Sequence, residues 1–498
     1  MRNIIRRSYF YLLVVFLISV FLLEFKVISV YSLNFYIFAV ILGCFGFFLE
    51  NEYTNYNFPQ KLLFVAVILT LVLRIIPYFI NSVPLGYDPG LYKYLFEHPF
   101  GEEWLKGTYP LLFTVVMGAL SSIFTSYFIM VPLLIYFSAV TCFAIYFVGE
   151  KLFKKDVGVL SAVLFMVSVT QYQTFLFFYY KNIIGIILLL LSLLYFTKED
   201  KLNWRLILIG VLIAGVHSPA LFIFGMTYFI YVMSEINIKD RNWWYSVENG
   251  MWIFILAFVI NFDRIGEYII PGIFSVANSV IEFSGGAGTF FSITDYFFYS
   301  LPFIPFAITG LFFYRKVKQL LIATIVTFVF VIFELFFHNR LIIYLDIFVI
   351  IYAALGFQTL IANKNWFGKM ITYGFIILLL VQMSIVAVNS KPLISESEFE
   401  KINKFNNYVT QESTVIATDS YYGPWLKGYL NAKVISPGLF DDKINRTEWD
   451  RFWLGDSRQE LLNRYEKPVY VHVGERQPQY TFDQCFENVT TGFYQYIC

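Results

Sequence analysis

Charge is what this chain has least of: of 498 residues only 14% are Asp, Glu, Lys or Arg, and the formal net charge is +1. No basic run stands out that could neutralise a phosphodiester backbone, which excludes nucleic acid as a partner. Histidine is rarer still, at four residues: His98, His217, His338 and His472 lie scattered, with none of the close spacings of a histidine metal site. Cysteine is as sparse. Cys44 and Cys142 fall in apolar segments and read as small core residues, whereas Cys485 and Cys498 close the chain. A cleavage site is missing after the first apolar run, Ser8 to Leu23, which follows Arg2, Arg6 and Arg7. A second apolar run starts at Val27, so the first is expected to remain as an uncleaved span. The glycine-rich SGGAGTF at 284–290 lacks the Lys and Ser/Thr of a phosphate-binding loop and reads as a mobile connection.

What the chain does have is apolar and aromatic surface, 58% and 21% of residues, with a mean hydropathy of +0.65. That composition is far outside the soluble range and predicts a multi-pass, α-helical membrane protein. Thirteen candidate spans can be marked, at about 8–24, 27–49, 62–80, 128–149, 158–176, 182–196, 206–217, 219–233, 251–262, 301–314, 320–337, 341–361 and 370–388. Placing the N-terminus in the cytoplasm puts every strongly basic connection on the inner side: Lys151, Lys154 and Lys155; Lys198, Lys201 and Arg205; Lys239 and Arg241; Arg315, Lys316 and Lys318; Lys364 and Lys369. This agreement requires the apolar stretch Leu111 to Phe124 to lie at the interface without crossing. The organisation expected is therefore a membrane domain, 1–388, with external loops 81–127 and 263–300, followed by an extracytoplasmic soluble α/β domain, 389–498.

In that tail Val415 to Thr418, Lys433 to Ser436 and Val469 to Val473 read as strands, separated by amphipathic stretches at Tyr421 to Leu430 and Arg458 to Tyr465. The last residues, CFENVTTGFYQYIC, read as a hairpin. A two-residue turn at Thr491 and Gly492 would set Cys485 opposite Cys498, within reach of a disulfide if the compartment is oxidising. Two N-x-T triplets, at Asn445 and Asn488, lie in the same tail.

The polar stretch NSVPLGYDPGLYKYLFEHPFGEEWLKGTYP, 81–110, carries a density of carboxylates found almost nowhere else in the first 390 residues. Pro84, Gly86, Pro89 and Gly90 bracket Asp88 and present its carboxylate at a turn, where it either serves as a base or caps the helix that follows. Tyr87 and Tyr92 offer flat faces for a sugar or for the headgroup boundary. Glu97, Glu102 and Glu103 either bind a divalent ion or form a solvated face, and Glu97 is also a candidate substrate contact. Arg340 and His338, in HNR at a membrane boundary, could hold a phosphate, Arg through its planar fork of donors, or could simply snorkel. Arg74 and Lys181 are second versions of the same idea, each a single cation in apolar surroundings. His217, in GVHSP, either lines a cavity or marks a tight turn with Pro219. Glu267, Glu282 and Asp295 sit in the long loop 263–300.

These features together resemble the GT-C superfamily of integral-membrane glycosyltransferases, which includes oligosaccharyltransferases and protein mannosyltransferases. The residues that carry the resemblance are LGYDPGLYKY (85–94), YPLLF (109–113), GEKLFKKDVGVLSAVLF (149–165), HNRLIIYLDIFVIIYAALG (338–356) and VIATDSYYGPWLKGYLNAKVISPGLFDD (415–442). The resemblance implies transfer of a sugar, with inversion, from a polyprenyl-phosphate donor to an acceptor at the outer membrane face, with Asp88 catalytic and Arg340 on the donor phosphate. The chain also departs from family patterns. Metal-using members carry a second acidic motif where TQYQTFLFFYYKN, 170–182, has neither Asp nor Glu, so no cofactor is expected. The oligosaccharyltransferase WWDYG motif is replaced by TDSYYGPWL, which makes transfer to asparagine sequons the less expected activity. Pro89 stands where protein mannosyltransferases have Glu after the loop Asp. The alternatives are a transporter or flippase for a lipid-linked sugar, and a non-enzymatic receptor or scaffold acting through the tail.

Overall fold

The structure, a computed structural model, describes residues 61–99, 109–196, 201–236, 241–265, 292–313, 317–335, 338–362, 366–437, 440, 444–455, 458–476 and 482–498, with the side chains of 263, 313 and 359–372 excepted. The spans expected at 8–24 and 27–49, and Glu102, Glu103, Glu267, Glu282 and the segment 284–290, lie outside these residues.

Helices dominate. In chain order they are α1 (Lys61–Ile80), α2 (Pro89–Glu97), α3 (Leu111–Ser121), α4 (Ser126–Met130), α5 (Pro132–Leu152), α6 (Lys155–Met166), α7 (Val169–Leu176), α8 (Tyr180–Leu193), α9 (Trp204–Val216), α10 (Ser218–Ser234), α11 (Arg241–Ile260), α12 (Ile293–Ser300), α13 (Ile304–Phe313), α14 (Lys318–Ile332), α15 (His338–Ala362) and α16 (Trp366–Asn389). Among the described residues four helical stretches are long and apolar enough to cross a membrane: α1, Ser126–Leu152, α11 and His338–Gln358. The pair α6 and α7, bent by 55° at its break, would make a fifth, and shorter apolar helices fill in around them. At 11 residues α3 reaches only about 17 Å, well short of the roughly 30 Å of hydrocarbon a span must cross. Helix α15 forms the centre: Leu341, Ile342, Ile343, Ile350, Ala353 and Leu355 are fully buried. In contrast α11 exposes Met251, Phe254 and Val259, as expected of a helix at a lipid-facing edge.

After α16 the chain forms an α/β unit: α17 (Glu396–Phe405), β1 (Thr414–Ala417), α18 (Gly423–Tyr429), β2 (Lys433–Ile435), α19 (Arg446–Leu454), α20 (Arg458–Leu462), β3 (Val469–His472), β4 (Phe486–Thr490) and β5 (Phe493–Tyr496). The sheet order is β2-β1-β3-β5-β4, with β2, β1 and β3 parallel and the terminal hairpin antiparallel. Local signals fix the helix ends: Ser395 accepts a bond from the Glu398 amide to start α17, and Asn445 with Glu448 forms a capping box on α19. The hairpin turns at Thr491 and Gly492 as expected, with φ +86° at the glycine. Its register does not stay in phase. A bulge between Asn488 and Thr490 moves the pairing by one, so the Cys485 carbonyl accepts from the Ile497 amide at 2.9 Å rather than facing residue 498. Cys498 is still close enough, and the Cys485–Cys498 disulfide is present with its Cα atoms 5.1 Å apart.

Candidate active site at the Asp88 loop

The loop between α1 and α2 is held at both ends. Asn81 extends the end of α1 by donating from Nδ2 to Pro77 O at 2.8 Å, and to Ser390 O at 3.1 Å just beyond α16. Gly86 has φ +83°, and a Cβ there would lie 2.8 Å from Leu176 O at the end of α7, so both its conformation and its surroundings demand glycine. Pro89 then starts α2 in the first helical position, a place where its missing N–H costs nothing. Asp88 occupies the cap position, yet its side chain makes no capping bond. Its half-buried carboxylate is left pointing elsewhere.

What it faces is basic. Lys181, in the first turn of α8, and Arg340, in the first turn of α15, both act electrostatically on Asp88. Lys181 is in turn within electrostatic reach of Arg340 and of Arg264, a buried guanidinium just past α11. Burial pushes the Asp88 carboxyl up from 3.8 to about 6, while Lys181 and Arg340 pull in the opposite direction. Arg340 is half-buried and, like Asp88, makes no side-chain hydrogen bond or ion pair among the described residues. His217, buried between α9 and α10, feels Lys181 and Arg340 and shares a 2.8 Å hydrogen bond between its Nδ1 and Tyr344 Oη on α15. His338 opens α15, half-buried, one turn before Leu341.

Other residues marked in the sequence go to different places. Tyr92 is not an open sugar-facing ring: it is 2% exposed and packed among Tyr109, Phe178 and Tyr180 at centroid distances of 5.6, 5.9 and 5.6 Å. Its role is to build the wall behind Asp88, with Lys181 Nζ lying 4.4 Å over the Tyr109 ring. Tyr87 donates from its hydroxyl to Ser420 O at 2.7 Å and so ties the loop to the C-terminal unit. Glu97 accepts from Lys93 at 2.8 Å and from Ser126 at 2.8 Å, which commits its carboxylate to the far end of α2. Arg74 is 1% exposed and caged by Phe165, Tyr172 and Phe175, its guanidinium carbon 5.4, 5.9 and 5.7 Å from their ring centroids. It shares no interaction with Asp88 or Arg340 among the described residues, because its helix face turns toward α6 and α7.

Three members of the site were not marked from the sequence: Arg264, Tyr109 and Tyr344. Arg264 carries the same signal as Arg340, an arginine at the end of an apolar run, but it lies in a loop noted only for its carboxylates. The C-terminal unit adds a further wall. Gly90 of α2 and Gly428 of α18 cross so closely that a Cβ on Gly428 would lie 2.2 Å from Gly90 O. This contact sets Tyr421, with Arg476 4.0 Å over its ring, beside Tyr87. Among the described residues no three His, Cys, Asp or Glu side chains cluster as metal ligands would.

No family model matches the chain, and no curated protein matches it by sequence. Solved structures do. The chain is similar to the oligosaccharyltransferase of Archaeoglobus fulgidus complexed with zinc and sulfate, at TM-score 0.58 and 15% identity over 82% of this chain and 68% of that one. The same enzyme, AglB, complexed with an inhibitory peptide and a dolichol-phosphate, gives 0.59 and 14% over 83% and 69%. ArnT from Cupriavidus metallidurans in the apo state gives 0.53 and 10% over 84% and 92%. At such identities the likeness is one of fold. The chain has the fold of the GT-C membrane glycosyltransferases.

Proposed function

We propose that the protein transfers a sugar from a polyprenyl-phosphate-linked donor to an acceptor at the outer membrane face, with inversion at the anomeric carbon. The observation that carries this reading is the convergence of one carboxylate, Asp88, with the basic side chains of Lys181 and Arg340, drawn from three separate segments of the chain. In this reading the acceptor's nucleophilic X–H attacks the anomeric carbon and the C–O bond to phosphate breaks. The proton passes to Asp88, and the lipid phosphate leaves with its charge met by Arg340 and Lys181. Tyr87, Tyr421 and Arg476 border the acceptor side.

A lipid donor is supported by what adjoins the basic group. Helices α10 and α11 enclose an apolar groove of about 740 Å³, lined by residues such as Phe224, Tyr228, Val247, Phe254 and Ala257. Arg264 follows the Ala257 end of α11 along the chain. A phosphate among Arg264, Lys181 and Arg340 can therefore place a prenyl chain in that groove, polar head and apolar tail each meeting matching chemistry.

The test uses the full chain in lipid nanodiscs, supplied with synthetic polyprenyl-phosphate hexoses and a membrane extract as acceptor source, with polyprenyl phosphate release read by mass spectrometry. Asp88→Asn should bind polyprenyl phosphate at least as tightly as the native protein and release it about 10²- to 10⁴-fold more slowly. Wild-type release by that variant would overturn the proposal.

A further inference from the structure

One buried carboxylate has no part in the proposed transfer. Asp346 lies on α15, two turns in from Arg340, and is 0% exposed. Its Oδ2 accepts from Ser168 Oγ at 2.8 Å and from Gln171 Nε2 at 2.9 Å. Gln171 Nε2 also donates to Ile343 O at 3.0 Å, so the amide grips α15 at two points. Among the described residues Asp346 Oδ1 has no hydrogen-bond partner, and neither does the hydroxyl of Tyr296 on α12, which feels the charge of the same carboxyl.

The two donors stand at the 55° break between α6 and α7. Ser168 caps α7, accepting from the Gln171 amide at 3.2 Å, so its hydroxyl proton is free to go to Asp346. A carboxyl at this point also meets the positive end of the α7 dipole. Helix α7 is eight residues long, about 12 Å. Its far end does two things for the site. The Leu176 carbonyl abuts Gly86, two positions before Asp88, with no room for a side chain between them. The chain then turns through Phe178, at φ 64°, into the first turn of α8 and Lys181.

We propose that Asp346 is a positioning residue, which locks the helix bearing Arg340 to the helix that sets both the Asp88 loop and Lys181. The lock is needed because the two sides of the site arrive on segments far apart in sequence, and bent or broken helices in apolar surroundings have few polar contacts with which to fix their register. A carboxyl or an amide at position 346 can accept both bonds, whereas an isosteric apolar side chain can accept neither. The inference rests on the proposed function for the importance of the site, but not for the geometry tested.

The experiment reads that geometry without any substrate. The purified full chain in detergent is labelled with a water-soluble carbodiimide and glycine ethyl ester across pH 4 to 9, and labelling at Asp88 is quantified by peptide mass spectrometry. Native protein should show a labelling midpoint near 6. Asp346→Leu should move the midpoint by half a unit or more, Asp346→Asn should restore it, and Ser168→Ala with Gln171→Leu should reproduce the shift without adding to that of Asp346→Leu. A native-like helical circular-dichroism spectrum and a cooperative thermal transition for each variant show that the chain is folded; if Asp346→Leu does not fold, the Ser168 and Gln171 double variant carries the test. An unmoved midpoint in folded variants overturns the positioning role. Activity retained by Asp88→Asn would instead overturn the reading of the site, leaving the geometric result standing.

Discussion

A carboxylate that is held away from water should make the protein less stable, and Asp88 allows the size of that effect to be worked out. Its carboxyl is raised from 3.8 to about 6. Because the folded-state value lies above the unfolded one, the native protein holds this proton more tightly. The group's contribution to stability is therefore fully present below pH 4, is lost as pH rises from about 4 to 6, and is flat above. Roughly two pH units correspond to about 3 kcal/mol, an upper bound at a half-buried position where water screens part of the effect. Asp88→Asn has no such proton to lose. Its advantage in thermal unfolding over the native protein should therefore widen between pH 4 and pH 7 and stay constant above, by up to about 3 kcal/mol. In the same variant, sugar transfer should drop by about 10²- to 10⁴-fold, the usual contribution of a general base, and native kcat/KM should rise with pH to a plateau with a midpoint near 6. The assay is paired: differential scanning fluorimetry in detergent and transfer in nanodiscs, on the same preparations. A stability gap that ignores pH, or a variant with full activity, would refute the reasoning.

Replacing Arg340 by Ala should raise the donor KM by about 10- to 100-fold, in line with loss of a charge-assisted bond, with Lys restoring only part because it lacks the planar fork; equal KM values for all three proteins would count against a phosphate role. Gly428→Ala should force α18 off α2, since its Cβ would lie 2.2 Å from Gly90 O, and lower stability by about 1–3 kcal/mol in thermal unfolding. Cys498→Ser opens a loop with a sequence separation of 13 and should cost the terminal hairpin about 3 kcal/mol, seen as faster amide exchange in β4 and β5 with α1 to α16 unchanged.

Among the described residues the apolar helices were legible from composition, but the breaks within them were not: the stretch 158–176, expected as one span, is α6 and α7 bent by 55°. Helix α11 shows the limit. Its first turns read RNWWYSVENG, and a hydropathy reading starts the span about ten residues late, at 251, although the helix begins at Arg241. Strand positions in the C-terminal unit were readable within a residue, but the hairpin register was not, because the bulge at Asn488 to Thr490 has no composition cue. Among candidate site residues the sequence could not separate Arg74 from Lys181. Each is a lone cation among apolar residues, and only packing sends one into an aromatic cage and the other toward Asp88. Asp346 escaped notice for the same reason: its partners Ser168 and Gln171 are 178 and 175 positions away, and a single Asp in an apolar run carries no period to mark it.

The opposing influences on Asp88 have a consequence for the order of events. In the free protein burial raises its carboxyl, and Lys181 and Arg340 hold it down at about 6. Under the proposed function, a lipid phosphate settling among those basic groups would bring negative charge and cancel their pull, and the Asp88 value would rise further with the donor bound. A base whose value moves toward the working pH becomes more effective at accepting a proton, so under the proposed function the loop would act best once the leaving group is in place. The pH profile of kcat/KM, which reports the free enzyme, should then show a midpoint near 6, and that of kcat, which reports the donor-bound enzyme, a midpoint higher by about half a unit or more. Coincident midpoints would mean that the phosphate does not sit beside Asp88, and a lower kcat midpoint would mean that a cation accompanies the donor into the site.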